Sequence, residues 1–331
     1  MTDQMLENAE TILANVLTDV GILALPNHTS GKVRDSYDLP DGRRVMIASD
    51  RQSAFDIVLA AVPYKGQVLT QTANFWFGET AEICVNHIID MPDPNVVICK
   101  RLDMLSVEIV VRDYMTGSTE TSIWPMYQRG ERVMYGINFP EGLKKNEELP
   151  NTILTPTTKG VFGEHDEPTS PEEIIKTGRL TQAQWDELAA LSLAIFCKGR
   201  EIAAANGLIL VDTKYEFGVD PNTGQITLAD EIHTPDSSRY WLMESYASRL
   251  ADGQEPESLD KEFLRLWITS RCDPYKEPIP NIPPDTLLEF SGKYVRLFEQ
   301  VTGQTFAHAS MDRPVIERIR ENLAKALPEY F

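Results

Sequence analysis

The sequence predicts an α+β fold, with an antiparallel sheet in the N-terminal part and helices collecting towards the C-terminus. Three observations predict it: strand-like runs joined by turn residues between positions 32 and 99, one long helical pattern that starts at Thr181, and further helical patterns after position 237. Strands joined by short turns pair antiparallel, whereas parallel strands need a long crossover connection. A chain of 331 residues with 42% apolar content can form roughly two or three packed lobes.

The N-terminal part is predicted to open with an amphipathic helix from Leu6 to Val20, because apolar residues recur there at helical spacing. The strands V-R-D-S-Y-D-L and R-V-M-I-A-S flank the turn Pro40-Asp41-Gly42. Two further strands are predicted at F-D-I-V-L-A-A-V-P and V-V-I-C. Between them a helix is predicted at T-Q-T-A-N-F-W-F-G-E-T-A-E-I-C.

The middle of the chain is predicted to contain a strand from Leu105 to Tyr114 and a long ordered loop over 144–171, which is rich in Pro, Thr, Asn and Gly. Thr181 and Gln184 form a capping-box pattern, and the helix that begins there is predicted to end at Gly207.

The C-terminal part is predicted to be mostly helical, apart from a Pro-rich connector over 272–285 that cannot be helical throughout. The predicted helices are 237–250, 259–271, 285–301 and 310–327. We therefore expect an N-terminal β lobe with flanking helices (1–104), a central lobe (105–250) and a C-terminal helical region (251–331).

The formal net charge of −19 argues against nucleic acid or an anionic membrane as a partner, so any anionic ligand must be held by a local cluster of bases. The four cysteines show no C-x-x-C spacing, and we expect them to be reduced and mostly buried. The acidic N-terminus lacks the pattern of a signal peptide, and no apolar run is long enough to span a bilayer. These features predict a cytoplasmic protein.

The stretch 208–241 carries an unusual density of charge. Asp212, Lys214 and Glu216 alternate with apolar residues, which is typical of a strand with one packed face, and a run of turn formers leads to a second strand that ends at Asp230. If Val219 faces Gln225, Glu216 is a diagonal neighbour of Asp230, roughly 7 to 8 Å away at the backbone. Two carboxylates at that spacing can share one Mg²⁺.

A solvent-exposed hairpin with cross-strand ion pairs is the alternative interpretation of this stretch. The continuation D-E-I-H-T-P-D-S-S-R weakens that alternative, because it adds a second set of acids and bases directly after the hairpin.

Other segments could bind a nucleotide, although the sequence contains neither a G-x-x-x-x-G-K-[ST] nor a G-x-G-x-x-G motif. In S-G-K-V-R-D-S-Y, Gly31, Lys32 and Arg34 could cover phosphates, or they could form an ordinary surface turn. In V-E-I-V-V-R-D-Y-M-T-G-S, Arg112 and Ser118 suit a phosphate or carboxylate, but Arg112 could equally pair with Asp113 or Asp56.

The segment P-T-T-K-G-V-F-G-E-H-D-E supplies Lys159, His165 and Asp166 on the predicted long loop. A solvent-exposed loop histidine is the simpler interpretation of His165.

Six motifs stand in the same order as in the SAICAR (phosphoribosylaminoimidazole-succinocarboxamide) synthetase family, which the chain resembles from about position 31 almost to its end. They are G-K-V-R-D-S-Y, S-D-R-Q-S-A-F-D, V-E-I-V-V-R-D-Y-M-T-G-S, P-T-T-K-G-V-F-G-E-H-D-E, L-V-D-T-K-Y-E-F-G and D-E-I-H-T-P-D-S-S-R-Y-W. The length and the extra C-terminal helices resemble the longer, single-function form. Ser106 and Gly160 depart from the usual pattern, and neither departure removes a charged group.

The resemblance implies an antiparallel N-terminal lobe, a mixed α/β C-terminal lobe and a nucleotide cleft between them. It implies an ATP- and Mg²⁺-dependent ligase that joins the carboxylate of carboxyaminoimidazole ribonucleotide (CAIR) to the amine of L-aspartate, by way of an acyl phosphate, acting as a monomer or small homo-oligomer. The central lobe would bind ATP and CAIR.

The resemblance also implies a role for each matching residue. Those implied to bind ATP are Gly31, Lys32, Val33, Arg34, Lys100, Arg101, Leu102 and Met104. Those implied to bind CAIR are Arg112, Ser118, Asp236 and Arg239, with His165 and Asp166 closing over it. Those implied to be catalytic are Asp212, Lys214 and Lys159, and those implied to bind the metal are Glu216 and Asp230.

Two alternatives remain open at this point: a small-molecule phosphotransferase with the same lobes, and a catalytically inactive member that only binds nucleotide. The presence of both candidate metal carboxylates argues against the second. A protein kinase is disfavoured because the chain has neither an H-R-D nor a D-F-G motif.

Overall fold

The structure is a computed structural model that describes residues 9–54, 57–119, 121–159, 167–274 and 276–331. The strands are β1 (His28–Ser30), β2 (Arg34–Asp38), β3 (Arg43–Ala48), β4 (Arg51–Ala54), β5 (Ile57–Ala61), β6 (Ile88–Asp93), β7 (Val96–Lys100), β8 (Asp103–Tyr114), β9 (Val133–Met134), β10 (Ile137–Asn138), β11 (Glu148–Leu154), β12 (Thr157–Thr158), β13 (Glu167–Pro168), β14 (Leu208–Val219), β15 (Ile226–Ala229) and β16 (Ser238–Leu242). The helices are α1 (Ala9–Ala14), α2 (Lys65–Glu79), α3 (Ile123–Gln128), α4 (Pro171–Lys176), α5 (Gln182–Ala205), α6 (Met243–Ala251), α7 (Glu262–Thr269), α8 (Pro284–Thr302) and α9 (Val315–Ala326), followed by a short 3₁₀ turn, Pro328–Tyr330.

The smaller of the two main sheets has the order β1-β2-β3-β7-β6, and its neighbouring strands pair antiparallel. The helix α2 packs against β3, and Gly66 at its start lies so close to the sheet that an added Cβ would stand 2.2 Å from the carbonyl oxygen of Ala48. The predicted α+β class and antiparallel N-terminal sheet are therefore confirmed.

Within the described residues the larger sheet has seven strands, in the order β13-β12-β8-β14-β15, with β11 paired to β8 and β16 paired to β14. The long strand β14 therefore exchanges hydrogen bonds with β8, β15 and β16. The helix α5 covers one face of this sheet, with Leu188, Ile195 and Phe196 in the same core as Tyr215 and Phe217. Its capping box at Thr181 and Gln184 is present, as predicted.

The C-terminal helices share a core with the smaller sheet. Phe290 and Tyr294 of α8 and Ile319 of α9 lie in one cluster with Ile47 and Val96. The end of the chain thus packs back on its beginning. None of the described helices is long and apolar enough to cross a membrane.

Three element predictions were wrong. The segment 144–171 is not simply a loop, because it contributes β11, β12 and β13 to the larger sheet. Residues 238–242 of the predicted helix 237–250 form β16 instead, where pairing with β14 overrides local helix preference. The first helix is described only over Ala9–Ala14, and Leu17 and Val20 are buried without being helical.

The predicted register of the β14–β15 hairpin was also wrong, by one residue. Val219 faces Ile226, not Gln225, so Glu216 lies opposite Ala229. The cause is Asp220, whose backbone N–H donates to the carbonyl of Gln225 at 3.0 Å while its carboxylate accepts from the N–H of Asn222 at 2.9 Å. Asp220 therefore extends the ladder and shortens the turn.

A bulge in β14 changes a second prediction. The pairing with β16 shifts between Leu210 and Asp212. As a result, Leu210 packs in the α5-facing core with Tyr215, whereas Val211 packs on Trp241 and Tyr114 in a separate cluster. The strict alternation expected along this strand is broken at that point.

Candidate active site

A cleft of about 240 Å³ lies between the smaller sheet and the edge of the larger one. Its apolar lining includes Met46, Leu102, Met104 and Ala229. Its charged lining comprises Arg34, Arg44, Lys100, Lys159, Glu216 and Asp230. We call it the inter-sheet cleft, and its mixture of apolar and cationic groups suits a flat ring that carries anionic groups.

Glu216 is the most strongly paired carboxylate of this cleft. It accepts a hydrogen bond from Lys214 Nζ at 2.8 Å and another from Lys159. Burial alone would raise its pKa, but the ammonium groups of Lys214 and Lys159 outweigh that effect and hold the pKa well below its ordinary value. Glu216 is therefore ionised at neutral pH.

Lys214 bridges two carboxylates that would otherwise repel. Glu216 and Glu108 are direct cross-strand partners on β14 and β8, and Lys214 Nζ lies 2.8 Å and 2.7 Å from their respective carboxylates. Burial would lower the pKa of Lys214, but the surrounding carboxylates raise it well above its ordinary value. Lys214 is therefore a permanent cation.

Asp230 reaches the cleft for a reason that the sequence pattern does not reveal. The strand β15 ends at Ala229, and Asp230 adopts a left-handed backbone conformation with φ of 59°. Strand alternation no longer applies to it, so it lines the inter-sheet cleft beside Glu216 in spite of the changed register. Its carboxylate pairs with Arg34, whose guanidinium also lies 3.4 Å from Glu231.

The carboxylates fit a magnesium ion that is bound together with a nucleotide. Among the described residues no group of three or more His, Cys, Asp or Glu side chains could hold a metal by itself. Mg²⁺ bound with phosphates typically takes only one or two protein carboxylates and fills its other positions with water and phosphate oxygens. Glu216 and Asp230 supply such a pair.

A second pocket of about 200 Å³ is lined by Lys214, which donates to Glu216 of the inter-sheet cleft. Asp212 lines it and accepts hydrogen bonds from Arg112 of the neighbouring β8, at 2.9 Å, and from Arg239 of the neighbouring β16. Arg112 also donates to the hydroxyl of Thr155 at 2.8 Å. The middle strand thus holds two arginines in place by a single carboxylate.

Asp236 lines the same second pocket and is anchored by two buried groups from distant helices. Its carboxylate accepts from Lys65 Nζ of α2 at 2.7 Å and from the hydroxyl of Tyr294 of α8 at 2.6 Å. Burial would raise the pKa of Asp236, but Lys65 and other cations lower it to about 2. The C-terminal helices therefore take part in shaping the second pocket.

Comparison with known proteins identifies the family. The profile of the SAICAR synthetase family matches residues 27–282. The chain belongs to the SAICAR synthetase family. It is thus a ligase of purine biosynthesis, as its sequence motifs imply.

Relatives and solved structures agree along most of the chain. A putative phosphoribosylaminoimidazole-succinocarboxamide synthase 2 of Agrobacterium fabrum is 54% identical over 95% of this chain and 99% of its own length. The phosphoribosylaminoimidazole-succinocarboxamide synthase of Legionella pneumophila is 51% identical over 90% of this chain and 94% of its own. The Saccharomyces cerevisiae SAICAR synthase complexed with SAICAR has a TM-score of 0.75 and 30% identity, covering 88% of this chain and 100% of that one.

Most residues that the sequence implicates do gather at these two pockets, but some do not. Arg101 lies 3.3 Å from Asp38 and does not line the inter-sheet cleft within the described residues. Ser118 is not among the described residues that line the second pocket, whereas its neighbour Thr119 is. Lys32 and Val33 lie on the turn next to Gly31. His165 and Asp166 lie outside the described residues.

Sequence reasoning missed two cations of the second pocket, Lys261 and Arg265, which lie at and just after the start of α7. Burial and the adjacent Arg265 lower the pKa of Lys261 to about 8. The stretch L-D-K-E-F-L-R carried a usable signal, because two bases four residues apart share one helix face. The sequence does not show which surface that face lines.

Proposed function

We propose that the protein joins the carboxylate of CAIR to the amine of L-aspartate at the expense of ATP, releasing SAICAR, ADP and phosphate. The observation that carries this proposal is the meeting of the two pockets. Lys214 lines the second pocket and donates to Glu216, which lines the inter-sheet cleft. A phosphoryl group in one pocket and an acceptor carboxylate in the other would come together at this point.

ATP is assigned to the inter-sheet cleft. Leu102 and Met104 offer an apolar wall for the adenine, and the turn from Gly31 to Arg34 offers backbone N–H groups and a guanidinium for phosphates. Glu216 and Asp230 would hold Mg²⁺, which neutralises phosphate charge when it is bound.

CAIR is assigned to the second pocket. Its phosphate and carboxylate are anions, and the cations that line this pocket are Arg112, Lys214, Arg239, Lys261 and Arg265. Asp236 can accept from ribose hydroxyls because its carboxylate is held rigidly and ionised.

The chemistry requires activation of a carboxylate, since oxide is too poor a leaving group for direct amide formation. We propose that a carboxylate oxygen of CAIR attacks the γ-phosphorus of ATP, with ADP leaving, to give an acyl phosphate. The neutral aspartate amine then attacks the carbonyl carbon, phosphate leaves, and the proton released from the nitrogen passes to phosphate or solvent. Lys214 and Lys159 are positioned to stabilise the negative charge that moves between the oxygens in both steps.

The surroundings of the reaction are proposed from composition and cysteine chemistry. All four cysteines are free, although only Cys84 and Cys99 are buried, which suits a reducing compartment. We therefore assign the reaction to the cytoplasm, by a monomer or small homo-oligomer without nucleic-acid or membrane partners.

The test is phosphate release from ATP by the purified protein with Mg²⁺, with CAIR and L-aspartate supplied separately and together, and with the product followed by mass. Phosphate matched by succinocarboxamide only in the presence of both substrates supports the proposal. Stoichiometric ATP consumption with CAIR and no requirement for aspartate would instead identify a phosphotransferase, and nucleotide binding without turnover would identify a binding protein.

A further inference from the structure

Arg51 holds the turn between β1 and β2 through hydrogen bonds to its backbone, and it is not among the described residues that line the inter-sheet cleft. Its guanidinium donates to the backbone carbonyls of Gly31 and Lys32, each at 3.1 Å. Ser49 holds the next carbonyl of the turn, that of Val33, through its hydroxyl at 2.7 Å and its backbone N–H at 3.0 Å. Three successive carbonyls are therefore drawn towards one side.

The N–H groups of the same peptides lie on the side opposite to the captured carbonyls. In a planar trans peptide the C=O and the N–H point in opposite directions, so each captured carbonyl directs the following N–H away from Arg51 and Ser49. Gly31 and Arg34 line the inter-sheet cleft. The turn is also tight, because Gly31 N–H donates to the carbonyl of Arg34 at 2.8 Å and an added Cβ at Gly31 would stand 2.8 Å from that oxygen.

We propose that Arg51 is a positioning residue for nucleotide phosphates, which acts by orienting the backbone N–H groups of this turn towards the cleft without touching the nucleotide. The inference rests on the proposed function, since it takes the cleft to bind ATP. It adds a specific role for a residue outside the cleft. Preorganised backbone N–H groups bind anions without a cost of rearrangement.

The guanidinium is itself fixed, which a positioning role requires. Arg51 pairs with the buried carboxylate of Asp35, and the other oxygen of Asp35 lies 2.8 Å from the ring of His28. Arg51 also donates to the carbonyl of Thr18 at 2.7 Å. A planar guanidinium with several donors can serve four acceptors at once, whereas the single ammonium of lysine cannot reach them together.

The experiment measures the affinities of Arg51→Lys for ATP, ADP and adenosine by calorimetry. We expect ATP and ADP to bind about tenfold more weakly, as the loss of one or two oriented donors predicts, and adenosine to change by less than about twofold. A general destabilisation of the fold would instead weaken the binding of ATP, ADP and adenosine by similar factors. Ser49→Ala should also weaken the binding of ATP and ADP, by a smaller factor than Arg51→Lys.

The matched control is Arg132→Lys. Arg132 also donates to two backbone carbonyls, those of Tyr127 and Glu131, and pairs with a carboxylate, but it lies away from the cleft. Arg132→Lys should leave the affinities for ATP, ADP and adenosine unchanged.

Two outcomes would overturn the proposal in distinguishable ways. If wild-type protein forms SAICAR, and Arg51→Lys leaves the affinity for ADP intact or weakens adenosine equally, the positioning role is wrong while the proposed function stands. If wild-type protein binds no ATP or ADP at all, both fail. Gly31→Ala provides a second reading, because it distorts the same turn and should reproduce the selective loss of phosphate binding.

Discussion

Replacing Glu216 by glutamine tests the assignment of the metal and phosphoryl-transfer site most directly. The side chain is only 10% exposed, and its carboxylate bonds to Lys214 and Lys159. Glutamine preserves the shape of the side chain and removes its charge. The variant should therefore lose the electrostatic stabilisation of a metal-bound phosphoryl group while it retains the fold.

The expected loss in kcat follows from the strength of the interaction between two neighbouring charges. Two unit charges about 4 Å apart interact by about 4 kcal/mol at an effective dielectric constant of about 20. Losing about 3 to 4 kcal/mol of transition-state stabilisation lowers kcat by about 150- to 900-fold. The effect on stability is much smaller, about 1 kcal/mol, because both lysine partners are partly exposed to solvent.

The assay is steady-state formation of SAICAR as a function of Mg²⁺ concentration, with thermal unfolding measured in parallel. Glu108→Gln is the matched control, since it removes the other carboxylate partner of Lys214, at 2.7 Å, but leaves Glu216 in place. We expect a shifted Mg²⁺ dependence in Glu216→Gln alone. Turnover within about tenfold of wild type, or an equal loss in Glu108→Gln, would refute the reasoning, because the essential feature would then be the environment of Lys214.

The remaining predictions concern the second pocket. Tyr294→Phe removes the 2.6 Å bond to Asp236 and should raise the KM for CAIR about fivefold while the KM for ATP stays constant in initial-rate assays. Lys261 is charged below its pKa of about 8, so kcat/KM for CAIR should fall as pH rises through that value. Lys261→Arg should abolish this fall, and an unchanged pH profile would exclude Lys261 as its cause. Arg239→Ala should raise the KM for CAIR and leave the KM for aspartate unchanged. A change confined to the KM for aspartate would assign Arg239 to the aspartate-binding pocket.

Much of the fold could be predicted where local chemistry decides the structure. The capping box at Thr181 and the left-handed Gly207 set the limits of α5, and both are visible in the sequence. The apolar run of β8 was equally clear. The register of the β14–β15 hairpin was not, because it depends on whether Asp220 belongs to the turn or to the ladder, which two hydrogen bonds decide.

In the candidate site, too, some residues could be predicted from the sequence and others could not. Residues on the charged hairpin were predictable because β14 presents them together. Glu216 and Asp230 share a cleft even though the register argument for their pairing was wrong, since the left-handed conformation of Asp230 compensates for the shift. The pattern L-D-K-E-F-L-R indicates a basic helix face, but only the tertiary packing of the helices decides that Lys261 lines the second pocket and that Lys65 bonds to Asp236.

The bond between Tyr294 and Asp236 also bears on how the protein is made. Tyr294 follows Asp236 by 58 positions and lies on α8, near the end of the chain. A nascent chain therefore carries the complete charged hairpin well before α8 has left the ribosome. Until then Asp236 lacks one of its two anchors, so the second pocket reaches its final geometry only late in the synthesis of each molecule.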